Sequence, residues 1–172
     1  MSGKKKIGLK ALTAGAMMAA ISIILERVLA LMPASNMMDV RISLSNVPII
    51  LAGVLVSPVI GALAGVISDV VGCFISGYAP FPILTIAPLV MGCLPGVFLK
   101  KNRDYSLLMV VISITVSHIF ASVLVTTYGL AVMRGVAFVP MLITRLPSCV
   151  INLGIDVVLV YFLLKTPLTK KF

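Results

Sequence analysis

The sequence predicts an all-α membrane protein that forms a single bundle of six transmembrane helices. Of its 172 residues, 60% are hydrophobic and 11% are charged, and the mean hydropathy is +1.20. An average soluble domain is about 25% charged and has too little interior for so many apolar side chains. The stretches 70–99 and 105–133 contain no Lys, Arg, Asp or Glu. Each is longer than the roughly 20 residues that a spanning helix needs.

Breakers and charged turns divide the chain into its helices. Pro33 ends the first apolar run, and the uncharged pair Ser57-Pro58 separates the second run from the third. Pro147 predicts a kink in the last one. The second helix is short for a full span, so we expect it to be tilted or displaced. Within one membrane domain, residues 1–172, the predicted helices cover residues 11–32, 45–56, 58–76, 83–99, 105–133 and 139–164.

The basic residues indicate the orientation. With six spans, the two tails and the 100–104 turn lie on one side of the membrane. These segments contain ten Lys and Arg residues, whereas the loops on the other side contain two, Arg41 and Arg134. Positive charge collects on the cytoplasmic side, so both termini are expected in the cytoplasm of a cell-membrane protein. The formal charge of +9 forms no contiguous basic stripe, which argues against a nucleic-acid partner.

The sequence gives no sign of a metal site, a cofactor site or a catalytic motif. Cys73, Cys93 and Cys149 are scattered through apolar sequence, and a single His is too few for a zinc site. There is no phosphate-binding loop and no H-E-x-x-H or G-x-S-x-G motif. We therefore expect no metal, no cofactor and no enzyme, although an intramembrane enzyme need not carry these motifs.

Charged residues inside the predicted helices are few, and each is a functional hypothesis because charge is costly in a bilayer. With the orientation above, all but Asp156 lie in the outer half of the membrane, as expected for a pocket loaded from outside. Arg residues near that side suit an anionic substrate, because guanidinium binds carboxylates by two parallel hydrogen bonds. The charged residues are Glu26, Arg27, Asp69, Arg145 and Asp156.

Helices 6, 3 and 5 each carry a polar stripe. In helix 6, Arg145, Ser148, Asn152 and Asp156 fall on one face at 100° per residue. Arg145 and Asn152 could line a ligand cavity, or Arg145 could pair with Asp69 or Glu26 for assembly alone. Asp69 in helix 3 could equally accept a ring N–H of a ligand. His118 in helix 5 fits a satisfied interior residue better than a proton carrier.

Helix 1 opens with small residues at four-residue spacing. Such a row allows another helix to approach closely, either within the bundle or from a separate membrane subunit. The pattern alone does not separate these alternatives. The residues concerned are Ala11, Gly15, Ala16, Ala19 and Ala20.

These features resemble the S components of energy-coupling factor (ECF) vitamin transporters. Residues 41–53, RISLSNVPIILAG, are similar to the start of helix 2 in the folate-specific branch. Residues 61–65, GALAG, and 68–72, SDVVG, are similar to its helix 3, and Gly77-Tyr78, Pro80 and Pro95-Gly96 continue the likeness over most of the chain.

The resemblance implies a substrate-binding subunit that takes up a vitamin, folate, from outside. It would associate with a transmembrane coupling subunit and two ATPases, and the small-residue row of helix 1 would be its docking face. Tyr78, Phe81 and Asn152 are candidates for contact with a flat ring. The substrate-binding residues expected are Arg41, Asn46, Asp69, Tyr78, Phe81, Arg145 and Asn152.

Other readings remain open at this stage. An S component for another vitamin, such as pantothenate, would share the anionic character of the substrate. An intramembrane enzyme acting on lipid would need a polar cluster that opens sideways or inward. A structural subunit of a larger complex would use the same polar residues only to join helices.

Overall fold

The computed structural model describes residues 8–30, 43–77, 79–101 and 106–166 of the chain. The secondary structure of these residues is entirely helical, and the predicted all-α bundle of six helices is confirmed. In chain order the helices are α1 (Leu9–Ala30), α2 (Asn46–Val56), α3 (Pro58–Ile75), α4 (Pro82–Lys101), α5 (Leu107–Arg134) and α6 (Phe138–Lys165).

Within the described residues, five helices are long and apolar enough to cross a bilayer, and α2 is not among them. Its six α-helical and five π-helical residues extend over about 16 Å at 1.5 Å per residue. The hydrocarbon core of a bilayer is about 30 Å thick. The helix α2 thus covers only about half of that thickness, and residues 43–45, which lead into it, contact Asn152 and Ser22 inside the bundle.

One extended residue separates α2 from α3. Ser57 has φ −169° and ψ 144°, an extended conformation that the ring of the following proline favours over the helical one. Pro58 then occupies the first turn of α3, where its missing N–H is not needed. The break expected at Ser57-Pro58 is therefore a tight hairpin that places α3 directly beside α2.

Glycines let α2, α3 and α4 meet backbone to backbone. A Cβ atom added to Gly53 would overlap the carbonyl of Gly92, and one added to Gly61 would overlap both of these residues. Gly65 faces the carbonyl of Pro88 in the same way. Close approach of this kind is what associates helices in lipid, where burial of apolar surface gives no advantage. Accordingly, α3 and α4 form the most extensive helix pair.

The outer surface of the bundle is apolar. Phe74 and Phe162 are 67% and 68% exposed, and large apolar side chains are exposed on α1, α3, α4, α5 and α6. A soluble monomer rarely exposes apolar patches of this extent. Lipid is the solvent that such a surface requires, in agreement with the composition.

Helix α5 is wider over part of its length. Residues Ile119–Thr126 form π-helical turns. There the hydroxyl of Thr126 donates to the carbonyl of Ala121 at 2.8 Å, and that of Thr127 to the carbonyl of Ser122 at 3.0 Å. These hydroxyls satisfy carbonyls along the wider turns. The apolar run 105–133 gave no sign of this change of pitch.

Candidate ligand-binding site

The helix directions give the bundle two sides. The terminal side carries the start of α1 and the end of α6, and the distal side carries the turns between α3 and α4 and between α5 and α6. Arg27 of α1 donates to the carbonyl of Gly72 in α3 near the distal ends of both helices, so these helices run parallel. Asp69 of α3 contacts Thr85 near the start of α4, so that pair runs antiparallel.

A buried carboxylate lies inside the bundle, nearer its terminal side than its distal side. Asp156 Oδ2 accepts a hydrogen bond from Asn46 Nδ2 at 3.2 Å and lies 2.8 Å from His118 Nε2. Asp156 is 0% exposed and His118 is 3% exposed. At 1.5 Å per residue, Asp156 lies about 14 Å from the end of α6 and His118 about 17 Å from the start of α5.

The segment that enters α2 is anchored about one helical turn nearer the distal side. The backbone N–H of Ser43 donates to Asn152 Oδ1 at 2.8 Å, and the carbonyl of Ser45 accepts from the hydroxyl of Ser22 at 2.7 Å. Non-helical backbone is tolerated at membrane depth only where its polar groups find partners. We call Ser43, Asn46, His118, Asn152 and Asp156 the central polar cluster.

A second polar group lies nearer the distal side, between α1, α3 and α4. Thr85 Oγ1 donates to Asp69 Oδ2 at 2.7 Å. The guanidinium of Arg27 lies against Gly72, and the carboxylate of Glu26 lies beside the same glycine. Asp69 is therefore engaged by a hydroxyl across the α3–α4 pair.

The structure brings together some of the residues predicted to bind substrate and not others. Asn46 and Asn152 belong to the central polar cluster. Asp69 lies in the distal group, while Phe81 lies just before α4, where its carbonyl accepts from the hydroxyl of Thr85. Arg145 is half-buried on α6, close to Cys149. Arg41 and Tyr78 lie outside the described residues.

His118 and Asp156 were not among the residues predicted from the sequence to bind substrate. Asp156 shares the polar stripe of α6 with Asn152, which was a usable signal, whereas His118 lies 38 residues earlier and its pairing has no sequence signature. Among the described residues, no group of three or more His, Cys, Asp or Glu side chains could hold a metal ion.

The small-residue row of α1 divides into two faces. Gly15 and Ala19 are buried: Gly15 lies against Ile60 of α3, and Ala19 packs with Ala52 and Ala64 of α2 and α3. Ala16 and Ala20 are exposed, and Ala11 is half-buried. The buried face of the row thus serves internal packing, and docking of a separate subunit on the exposed face stays a prediction.

An apolar groove of about 320 Å³ runs between α1, α2 and α6. Its lining offers no polar side chain to a carboxylate or a heterocycle, so it does not suit a vitamin. The residues that line it are Met18, Ile21, Leu25, Leu44, Val47, Pro48, Leu51, Leu159 and Leu163.

Comparison with known proteins identifies the family. The family model described as the S component of the ECF-type riboflavin transporter matches residues 6–170. A curated relative, the folate transporter FolT of Clostridium novyi (strain NT), is 26% identical over 123 residues, which are 71% of each chain. A crystal structure of FolT bound with folic acid has the same fold. Its TM-score is 0.76 at 24% identity, over 96% of this chain and 95% of that one.

The matched family covers nearly the whole chain, and its members are transport subunits rather than enzymes. The expectation of a transport protein without catalytic activity is confirmed. S components work together with a transporter module. The chain belongs to the family of ECF transporter S components.

Proposed function

We propose that this S component binds folate. The observation that carries the proposal is that the relatives named above are folate proteins, one a folate transporter and one a FolT with folic acid bound. The second of these shares the fold over almost the entire chain. Folate also fits the anionic substrate that the sequence favours, because it combines carboxylates with a flat ring.

The proposed site is built around the segment that enters α2. Asn46 and Asn152 lie inside the bundle, where amide groups can complement the donors and acceptors of a heterocycle. Arg145 lies higher on α6, toward the distal side, where a guanidinium can bind a carboxylate. We include Asp69 and Phe81, and we keep Arg41 and Tyr78 as closing residues by sequence alone.

Riboflavin is the second candidate, because the matching family model is described by that vitamin. Riboflavin also has a flat ring but no carboxylate. An arginine that binds the carboxylate of folate would therefore have no such group to bind in riboflavin. Arg145→Ala is therefore expected to weaken folate binding more than riboflavin binding.

We further propose the partners and the orientation. The energy would come from a transmembrane coupling subunit and two ATPase subunits, with both termini in the cytoplasm and the distal side facing outward. The exposed Ala16 and Ala20 would form the docking face on α1, since small side chains permit close helix approach. Gly15 and Ala19 are occupied by contacts inside the bundle.

Mass spectrometry of small molecules released from the purified protein tests the substrate. Protein made in cells supplied with both vitamins should release folate in near-stoichiometric amount. Riboflavin released without folate would replace the first candidate by the second. Release of pantothenate would leave the family assignment intact and change the substrate.

A further inference from the structure

The central polar cluster joins parts of the chain that are far apart in sequence. Asp156 in α6 meets Asn46, 110 residues earlier at the start of α2, and His118, 38 residues earlier in α5. One turn away on α6, Asn152 holds the backbone of Ser43. Two neighbouring positions of α6 therefore fix both the first residue of α2 and the segment before it.

A single carboxylate oxygen organises the contacts. Oδ2 of Asp156 faces the side-chain amide of Asn46 and the Nε2 of His118. The amide of Asn46 donates to this oxygen through Nδ2, and Nε2 of His118 donates to it in the tautomer that carries the ring proton on that nitrogen. The amide oxygen of Asn46 is consequently turned away from Asp156, so the cluster sets the direction in which this side chain offers its acceptor.

The cluster is poorly suited to stabilising the bundle alone. Asp156 Oδ1 and His118 Nδ1 are buried and have no hydrogen-bond partner among the described residues. Leaving buried polar atoms unsatisfied is costly, and well-packed apolar residues in place of a buried pair are often equally stable or better. A role in positioning the start of α2 would explain why Asp156 and His118 are present despite this cost.

We propose that Asp156 and His118 are positioning residues for ligand binding. Through Asn46 they hold the entry of α2, and with it residues 43–45, inside the bundle, where this segment forms the floor of the vitamin site. The proposal rests on the proposed function for the identity of the ligand. It assigns no direct ligand contact to either residue.

The first test is a double-mutant cycle on folate affinity. Asp156→Ala and Asn46→Ala should each weaken binding about tenfold, the loss expected for one hydrogen bond to a charged group. The double variant should be little weaker than Asn46→Ala alone, because Asp156 acts on the ligand site through Asn46. Ser117→Ala is the matched control. Ser117 is fully buried beside His118, but its hydroxyl donates to the carbonyl of Ser113 in its own helix.

The second test does not depend on the ligand. The variant Ser43→Cys, made in a chain whose native cysteines are replaced by alanine, keeps the backbone N–H that donates to Asn152. Its labelling by a thiol reagent in detergent should become about tenfold faster in Asp156→Ala and stay unchanged in Ser117→Ala. His118→Gln, which retains an N–H donor, should label more slowly than His118→Ala.

The outcomes separate the two proposals. Additive losses in the cycle, or unchanged labelling at position 43, would overturn the positioning role. Faster labelling with unchanged folate affinity would overturn it as well, since the segment would then move without consequence for binding. If the unmutated protein does not bind folate, the proposed function fails and labelling alone decides positioning. If Asp156→Ala does not fold, the comparison of His118→Gln with His118→Ala decides.

Discussion

Substituting leucine at neighbouring small positions of α1 separates docking from packing. Ala19 is 2% exposed and packs against Ala52 and Ala64, whereas Ala16 and Ala20 are exposed on the same helix. Replacing a methyl group by an isobutyl group at a filled position forces neighbouring atoms apart. Overpacking of this kind costs about 1–3 kcal/mol, which lowers the ratio of folded to unfolded protein about five- to 150-fold.

The exposed positions should behave in the opposite way. An apolar substitution on the lipid-facing surface removes no internal contact, so Ala16→Leu and Ala20→Leu should change stability by no more than about 0.5 kcal/mol. If this face docks to the coupling subunit, the larger side chain holds the two helices apart and uptake is lost.

Three measurements on each variant distinguish the effects. Thermal unfolding in detergent reports stability, titration with folate reports binding, and uptake by cells that supply the ECF module reports transport. Ala19→Leu should lower the unfolding temperature, while Ala16→Leu and Ala20→Leu should bind normally and fail in uptake. Normal transport by both exposed variants, or an unchanged unfolding temperature for Ala19→Leu, would refute the division of the row into two faces.

Three further predictions follow from the packing, the site and the orientation. Gly92→Val should prevent stable folding, because its side chain would enter the backbone of α3 at Gly61; an unfolding temperature equal to that of the unmutated protein would contradict this. Asn152→Ala should weaken folate binding by about five- to hundredfold, since the backbone N–H of Ser43 loses its acceptor; equal affinities by titration would remove Asn152 from the site. In a cysteine-free background, an impermeant thiol reagent added to intact cells should label Val136→Cys but not Gly3→Cys, and the reverse pattern would invert the orientation.

The helices were predictable because their signal is local. Apolar run length and proline or charged breaks define a membrane helix without reference to the rest of the chain. The hairpin at Ser57-Pro58 is of this kind. The π-helical part of α5 was not predictable, since residues 119–126 are as apolar and unbroken as an ordinary span.

The site was only partly predictable because its contacts are long-range. The stripe on α6 placed Asn152 and Asp156 on one face, and the structure confirms that both turn toward the centre of the bundle. Nothing in the sequence indicated that α2 would begin at the depth of Asp156, or that His118 would reach the same oxygen. The partner of a polar residue inside a membrane depends on the depth at which each helix starts, which composition alone does not give.

The row on α1 shows the same limit. The spacing identified small residues on two adjoining sides of the helix, but only their burial shows which side packs inside the bundle and which side is exposed. Gly15 and Ala19 face α2 and α3 because those helices approach closely there. Ala16 and Ala20, one position further on, remain exposed.

The central claim is that this S component recognises folate, and a competition titration on the purified protein tests it most directly. Folate should bind at one molecule per chain, and a large excess of riboflavin should not displace it. Arg145→Ala should bind folate about ten- to hundredfold more weakly, since the carboxylate loses a charged hydrogen bond. Saturable binding of riboflavin, with no binding of folate by the unmutated chain, would contradict the account.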